Sequence, residues 1–235
     1  MTDLYSRHVT GNNGKRYVLT DRQKIAYHWL PRGGIIADIG SSVGPIVGAL
    51  AAQGNTVIAV DVDREALTSL KQHLNNALPT EASASRLPLK TESLDAILLL
   101  DVLEHVADEH CVIQEIHRTL RPGGTLILSV PNKGIFRFLD PQNLAARVKG
   151  TYTQKTEHRH YSFEELQSLL LPHFQIVKKK YGGLFIYPMT FYLTHFFKKY
   201  FHVDWGRRLS AIGDMDNDIS WGRWSYNVIL MLVKR

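Results

Sequence analysis

The chain reads as an α/β protein built on a mostly parallel, doubly wound sheet, and three observations lead there. Ile35 to Gly44, IIADIGSSVG, is a run of five mostly apolar residues entering a turn of small residues that opens a helix. A central strand covered on both faces has that composition. Thr56 to Val60 is a second apolar run, and it ends at Asp61, twenty-one positions beyond Gly40. In a doubly wound sheet this is the spacing of a nucleoside site, where an acidic residue on the second strand accepts hydrogen bonds from ribose hydroxyls. Helical patterns alternate with the strands, which predicts parallel βαβ units.

Each element follows in order. Thr20 to Leu30 is a short helix, because Thr20 and Gln23 are spaced as a capping box and Ile25, Ala26, Trp29 and Leu30 form an apolar stripe. Pro31, Gly33 and Gly34 stop it. Pro45 to Gln53 is the first crossover helix and Arg64 to Asn76 the second. A third strand is expected at Glu81 to Ser85, although that stretch is short and polar. Leu94 to Leu100 is a fully buried strand ending at Asp101, followed by a helix from Glu109 to Leu120. Arg121 to Gly124 predicts a turn into the strand Thr125 to Val130. From Pro131 to Thr156 the pattern supports one or two short helices. Ser162 and Glu165 repeat the capping-box spacing and open a helix through Leu171. Phe174 to Tyr181 and Ser225 to Val233 suit the last two strands.

With 235 residues and 44% hydrophobic content the chain can bury a full core as one domain. We expect a helical cap over 1–30, a cofactor-binding core over 31–132 and an acceptor-side half over 133–235. The lone Cys111 forms no internal disulfide and the first residues lack a signal-peptide core, so the expected compartment is the cytoplasm. Net charge is +6, and from Phe174 onward ten Lys or Arg face four Asp. Such a basic surface suits nucleic acid or anionic lipid, and equally serves solubility. Leu184 to Phe201, LFIYPMTFYLTHFFKKYF, is shorter than the ~20 residues a bilayer span needs. It is expected as an aromatic lid over 184–221, or as an interfacial helix contacting the inner face of a membrane.

The glycine loop and Asp61, followed by SLDAILLLDVLEHV at Ser93 to Val106 and LRPGGTLILSVPN at Leu120 to Asn132, resemble the class I S-adenosylmethionine-dependent methyltransferases. The resemblance covers Ile35 to Asn132, with a weaker echo over His158 to Leu166. It implies seven strands with the seventh antiparallel, a leading helix lying over the cofactor, and S-adenosylmethionine as that cofactor. It further implies that Asp61 holds the ribose, Val62 flanks the adenine, and Gly40, Ser41 and Gly44 let backbone approach the methionine portion. Asp38 would orient the amino group, with Asp101 at the mouth of the site. Ser83 stands where many relatives carry an acidic residue near the adenine. Gly40, Ser42 and Gly44 depart from the G-x-G-x-x-G spacing, which disfavours a nicotinamide dehydrogenase.

Methyl transfer needs an aligned nucleophile and a dry site, with a general base if the acceptor arrives protonated. His105, after Asp101 to Glu104 at the mouth of the fourth strand, is the natural base. His158 and His160, in TEHRHYS, supply a second pair, one of which is expected to face the acceptor. Asp101, Glu104 and His105 also form an acid-x-x-acid-His cluster that suits a divalent ion such as magnesium. That cluster resembles the metal-binding stretch of ubiquinone-pathway O-methyltransferases and of small-RNA 3′-terminal 2′-O-methyltransferases, with Asn132 and His158 or His160 completing the set. Those families use glutamate where Asp101 stands, and similar DVLEH stretches occur in relatives without metal. The leading expectation is O-methylation of a small or lipid-like acceptor. The alternatives are a metal-assisted RNA 2′-O-methyltransferase and a non-catalytic cofactor-binding protein docked on membranes. The oligomeric state is left open.

Overall fold

The apolar runs form one seven-stranded sheet in a computed structural model, which describes residues 8–12, 14–74, 77–135, 137–148, 158–183 and 219–235. Its strands are β3 (Ile35–Ile39), β4 (Thr56–Asp61), β5 (Ala77–Glu81), β6 (Leu94–Leu100), β7 (Leu120–Pro131), β8 (Phe174–Gly182) and β9 (Asn227–Lys234), in the order β5-β4-β3-β6-β7-β9-β8. The pairs β3/β4, β3/β6, β4/β5 and β6/β7 are parallel. β9 runs the other way: the Asn132 N–H at the end of β7 donates to Tyr226 O just before β9, whereas Lys234 Nζ at its end reaches Leu120 O. Ile36, Ala96 to Leu99 and Leu126 to Leu128 are fully buried. Each such Leu or Ile contributes about 1.5–3 kcal/mol relative to exposure.

The helices among the described residues are α1 (Asp21–Trp29), α2 (Pro45–Ala51), α3 (Arg64–His73), α4 (Glu109–Thr119), α5 (Pro141–Val148) and α6 (Phe163–Leu170). Both capping boxes are present. Thr20 Oγ1 accepts from Gln23 N–H while Thr20 N–H donates to Gln23 Oε1, and Ser162 and Glu165 make the same reciprocal pair.

Four expectations change. The third strand is Ala77–Glu81 rather than Glu81 to Ser85. It carries Pro79, which an edge strand tolerates because one row of its N–H positions needs no partner. α3 ends at His73, three residues short of the expected Asn76. Arg121 to Gly124 is not a separate turn but a bulge within β7, where the pairing jumps from Leu94↔Leu120 to Ala96↔Thr125 and Gly123 sits at φ +73°. An unexpected antiparallel hairpin, β1 (His8–Thr10) with β2 (Arg16–Val18), precedes α1. The expected lid lies outside the described residues up to 218.

The chain divides into two compact units. One comprises Met1–Ser129, Gln167–Lys179 and Leu230–Arg235, and the other Val130–Leu166 and Lys180–Ile229. Among the described residues, no helix is long and apolar enough to cross a membrane.

Candidate functional site

The first unit holds a cavity of about 570 Å³ at the C-terminal ends of β3, β4 and β6. Open α/β sheets bind ligands at that edge, and the volume suits a nucleoside-sized molecule. Its lining brings together Gly40, Asp61, Val62, Asp101 and His105 from the expected residues, and adds Ser83 and Ser85 after β5, Val102 after β6, and Asp108.

The glycine loop is shaped by backbone demand. Gly40 has φ +76°, and a side chain there would collide with Val102 Cγ2. Its N–H and that of Ser41 both donate to Val60 O, at 2.8 and 3.1 Å, which ties the loop to β4. Asp61 holds the next turn: Oδ2 accepts from Ser42 N–H at 2.8 Å and Oδ1 from Asp63 N–H at 2.9 Å. Ser41 is buried, with no hydrogen-bond partner for Oγ among the described residues. Gly44 also meets a packing demand. At φ +67° it caps α2, and a Cβ there would meet Leu70 of α3, so its smallness lets the helices pack.

Asp38 lies in β3 with 4% exposure, and burial, reinforced by the Asp61 charge, pushes its carboxyl up to about 7. Asp101 ends β6 at φ +56°, a left-handed conformation that Asp adopts more readily than most residues. Its Oδ2 lies 2.7 Å from Arg22 Nη2 of α1, and its Oδ1 accepts from Ser129 Oγ at 2.9 Å. Asp101 does not fit the expected magnesium site with Glu104 and His105. One Asp101 oxygen already faces a guanidinium cation, the other a hydroxyl donor. Among the described residues Glu104 and His105 fall in a gathered set of metal-ligating side chains, whereas Asp101 does not. Glu104 is buried and His105 exposed in the 3₁₀ turn Leu103–His105. Asp108 caps α4 through Cys111 N–H, and the N–H and Sγ of Cys111 hold its carboxyl below the usual range.

The second unit gathers the other two histidines around a residue the sequence did not single out, Asp140. His158 Nδ1 lies 2.8 Å and His160 Nε2 3.2 Å from Asp140 Oδ2, and Tyr226 OH donates to the same oxygen at 2.6 Å. Asn132, expected near a metal, instead donates through Nδ2 to the carbonyls of Arg223 and Ser225. Arg22 and Asp140 were both missed. Their partners lie far away in the sequence, and neither residue stands in a recognisable motif.

Residues 37–128 match the family model described as a methyltransferase domain. A ubiquinone biosynthesis O-methyltransferase of Aliivibrio fischeri is 30% identical over 173 residues, 66% of this chain and 69% of that protein. A "Probable S-adenosylmethionine-dependent methyltransferase" of Mycobacterium tuberculosis is 32% identical over 87 residues, 37% of this chain and 32% of that protein. The match thus spans between about a third and somewhat over half of the first curated relatives. Among solved structures, a magnesium protoporphyrin IX methyltransferase from Synechocystis superposes with a TM-score of 0.59 at 16% identity, covering 91% of this chain and 82% of that one. A similarity at that identity speaks to the fold.

Proposed function

This chain belongs to the class I S-adenosylmethionine-dependent methyltransferases, and from that premise we propose that it O-methylates a small or lipid-like acceptor. The observation that carries the reading is the cavity of the first unit, which has Asp61 and Val62 on one strand end and Asp101 and His105 on another. The residues fit the cofactor. Asp61 uses one acceptor position on each oxygen and keeps others for ribose hydroxyls. Asp38 is a buried carboxyl ready for a cationic amino group, and Arg22 is a cation at the mouth beside Asp101. The exposed Ser83 and Ser85 hydroxyls, 2.9 Å apart, offer neutral partners to the base edge where many relatives carry an acid.

When bound, the cofactor supplies a methyl group on a positively charged sulfur, already activated for in-line displacement. The chain's own task is alignment and proton transfer. The His105 imidazole on the cavity lining would take the proton of the acceptor hydroxyl, leaving its oxygen free to receive the methyl group. The O-methyltransferases among its relatives support oxygen as the atom methylated. A lipid-like acceptor is supported by the exposed Phe138, Trp221 and Trp224 of the second unit, and Trp221 and Trp224, which flank Arg223 in the chain, suit contact with an anionic membrane surface.

Calorimetric titration with S-adenosylmethionine and separately with NADH tests the cofactor, and turnover on phenolic and prenylated phenolic acceptors tests the reaction. Binding of the first cofactor alone with methyl transfer to a hydroxyl is expected. Transfer to nitrogen only would overturn the choice of oxygen. His105→Gln should lower kcat by roughly 10²–10⁴ while leaving cofactor affinity unchanged. Equal losses in both would make His105 a structural residue.

A further inference from the structure

The second unit is organised around one carboxylate. Asp140 is 1% exposed, its Oδ1 accepts from Asn143 N–H at 2.9 Å, and three groups converge on Oδ2: Tyr226 OH at 2.6 Å, His158 Nδ1 at 2.8 Å and His160 Nε2 at 3.2 Å. A carboxylate oxygen has two lone-pair directions, so three donors on Oδ2 are one too many. His160 sharpens the problem. Its Nδ1 lies 3.0 Å from the Asn132 carbonyl oxygen, which can only accept, so Nδ1 carries the hydrogen. In the neutral ring, Nε2 then turns a lone pair toward Asp140 Oδ2. Two buried lone pairs facing one another repel unless a cation lies between them.

We propose that Asp140, His158 and His160 bind a divalent transition-metal ion, with zinc the best chemical match. The three donor atoms lie within 4.8 Å of one another, which suits ligand bonds of roughly 2.0–2.2 Å to a common centre. The two rings stand at 88°, so their nitrogens approach from different planes. The hydrogen bond from His160 Nδ1 to a backbone carbonyl is the outer contact that fixes a ligating imidazole with its other nitrogen toward the metal. Two imidazoles with one carboxylate select a borderline ion over magnesium, which prefers oxygen throughout. All three side chains are buried, so the ion is structural: it clasps the segment around Asp140 to the loop carrying His158 and His160.

The test uses the full chain, purified without a metal-affinity tag. It is stripped with chelator, titrated with zinc chloride in a calorimeter, and followed by elemental analysis and thermal unfolding. One zinc per chain and a rise of several degrees in Tm at saturating zinc are expected. His160→Gln should abolish stoichiometric uptake, whereas His117→Gln, which alters the separate His117–His173 ring pair, should not. A folded, stripped wild-type protein that takes up no zinc would overturn the proposal, as would uptake that survives His160→Gln. Nitrogen-15 spectra give an outcome independent of the variants. A His160 ring that stays doubly protonated whether or not zinc is added would mean that a proton supplies the positive charge, and the metal site would be discarded. S-adenosylmethionine affinity of the stripped protein is expected to be unchanged, so the cofactor reading and the zinc site can fail separately.

Discussion

Asp38 of the first unit and Asp140 of the second are equally hidden, at 4% and 1% exposure, yet they hold opposite charge preferences. At Asp38 burial, followed by the nearby Asp61 charge, pushes the carboxyl up to about 7. At Asp140 burial acts in the same direction, but the His158 and His160 rings, the Tyr226 hydroxyl and the Asn143 N–H gathered on it hold the carboxyl well below the usual range. Desolvation disfavours a charge everywhere, and the donors aimed at the group decide the outcome. A buried acid lacking such donors is a site awaiting a cation. One surrounded by polar groups is ionised already, the form in which a carboxylate ligates a metal.

The strongest way to break this comparison is to remove the charge from the clasp. Asp140→Asn leaves the two histidines facing a neutral amide, and should cost about 3–5 kcal/mol of stability, the range for breaking a buried ion pair, measured by chemical denaturation. A loss below about 1 kcal/mol would mean that the second unit does not depend on Asp140. Asp61→Ala comes next. A charge-assisted hydrogen bond contributes roughly 1.5–3 kcal/mol, so cofactor affinity should fall roughly ten- to a hundredfold in a calorimeter. Unchanged binding would remove Asp61 from the ribose.

The smallest effect is the one that separates the two aspartates most directly. Because Asp38 ionises at about 7 in the folded protein and the cofactor's amino group favours the ionised form, cofactor affinity should rise between about pH 6 and 8, by at most roughly tenfold per unit. Asp38→Asn should flatten that dependence. Stability moves the opposite way. The unfolded chain loses this proton near the ordinary value of 3.8 while the folded one retains it up to about 7. Asp38's contribution to stability is therefore greatest below the lower value and is lost as pH rises through the upper one. Urea midpoints of wild type and Asp38→Asn across that window check the sign.

Elements whose signal is local were readable from residues alone. Ile35 to Ile39, Thr56 to Asp61 and Leu94 to Leu100 are strands because apolar runs of that length between turn residues have no better way to bury themselves. Both capping boxes form because each pairs a hydroxyl and an acid or amide three residues apart. β5 was misplaced because Pro79 weakens a strand pattern, and only its edge position makes that proline harmless. The short β1–β2 hairpin has too few apolar residues to announce itself.

The cofactor cavity was legible to the same extent. Gly40, Asp61 and Val62 belong to one strand–turn–helix pattern, and sequence fixes their spacing. Gly44 follows the same pattern, yet Leu70, twenty-six residues on, determines what it does. Asp101 carried a motif for metal, but Arg22 and Ser129, brought to it from α1 and β7, occupy its oxygens. Asp140 had no motif, and acquired its role from His158, His160 and Tyr226, eighteen to eighty-six residues away. By itself the sequence determined the α/β class, the strand carrying the glycine loop and the family, because period, turn chemistry and spacing are local. Tertiary structure decided which carboxylates were left to meet a ligand and which were already engaged, because the partners of a buried charge are set by packing between segments far apart in the chain.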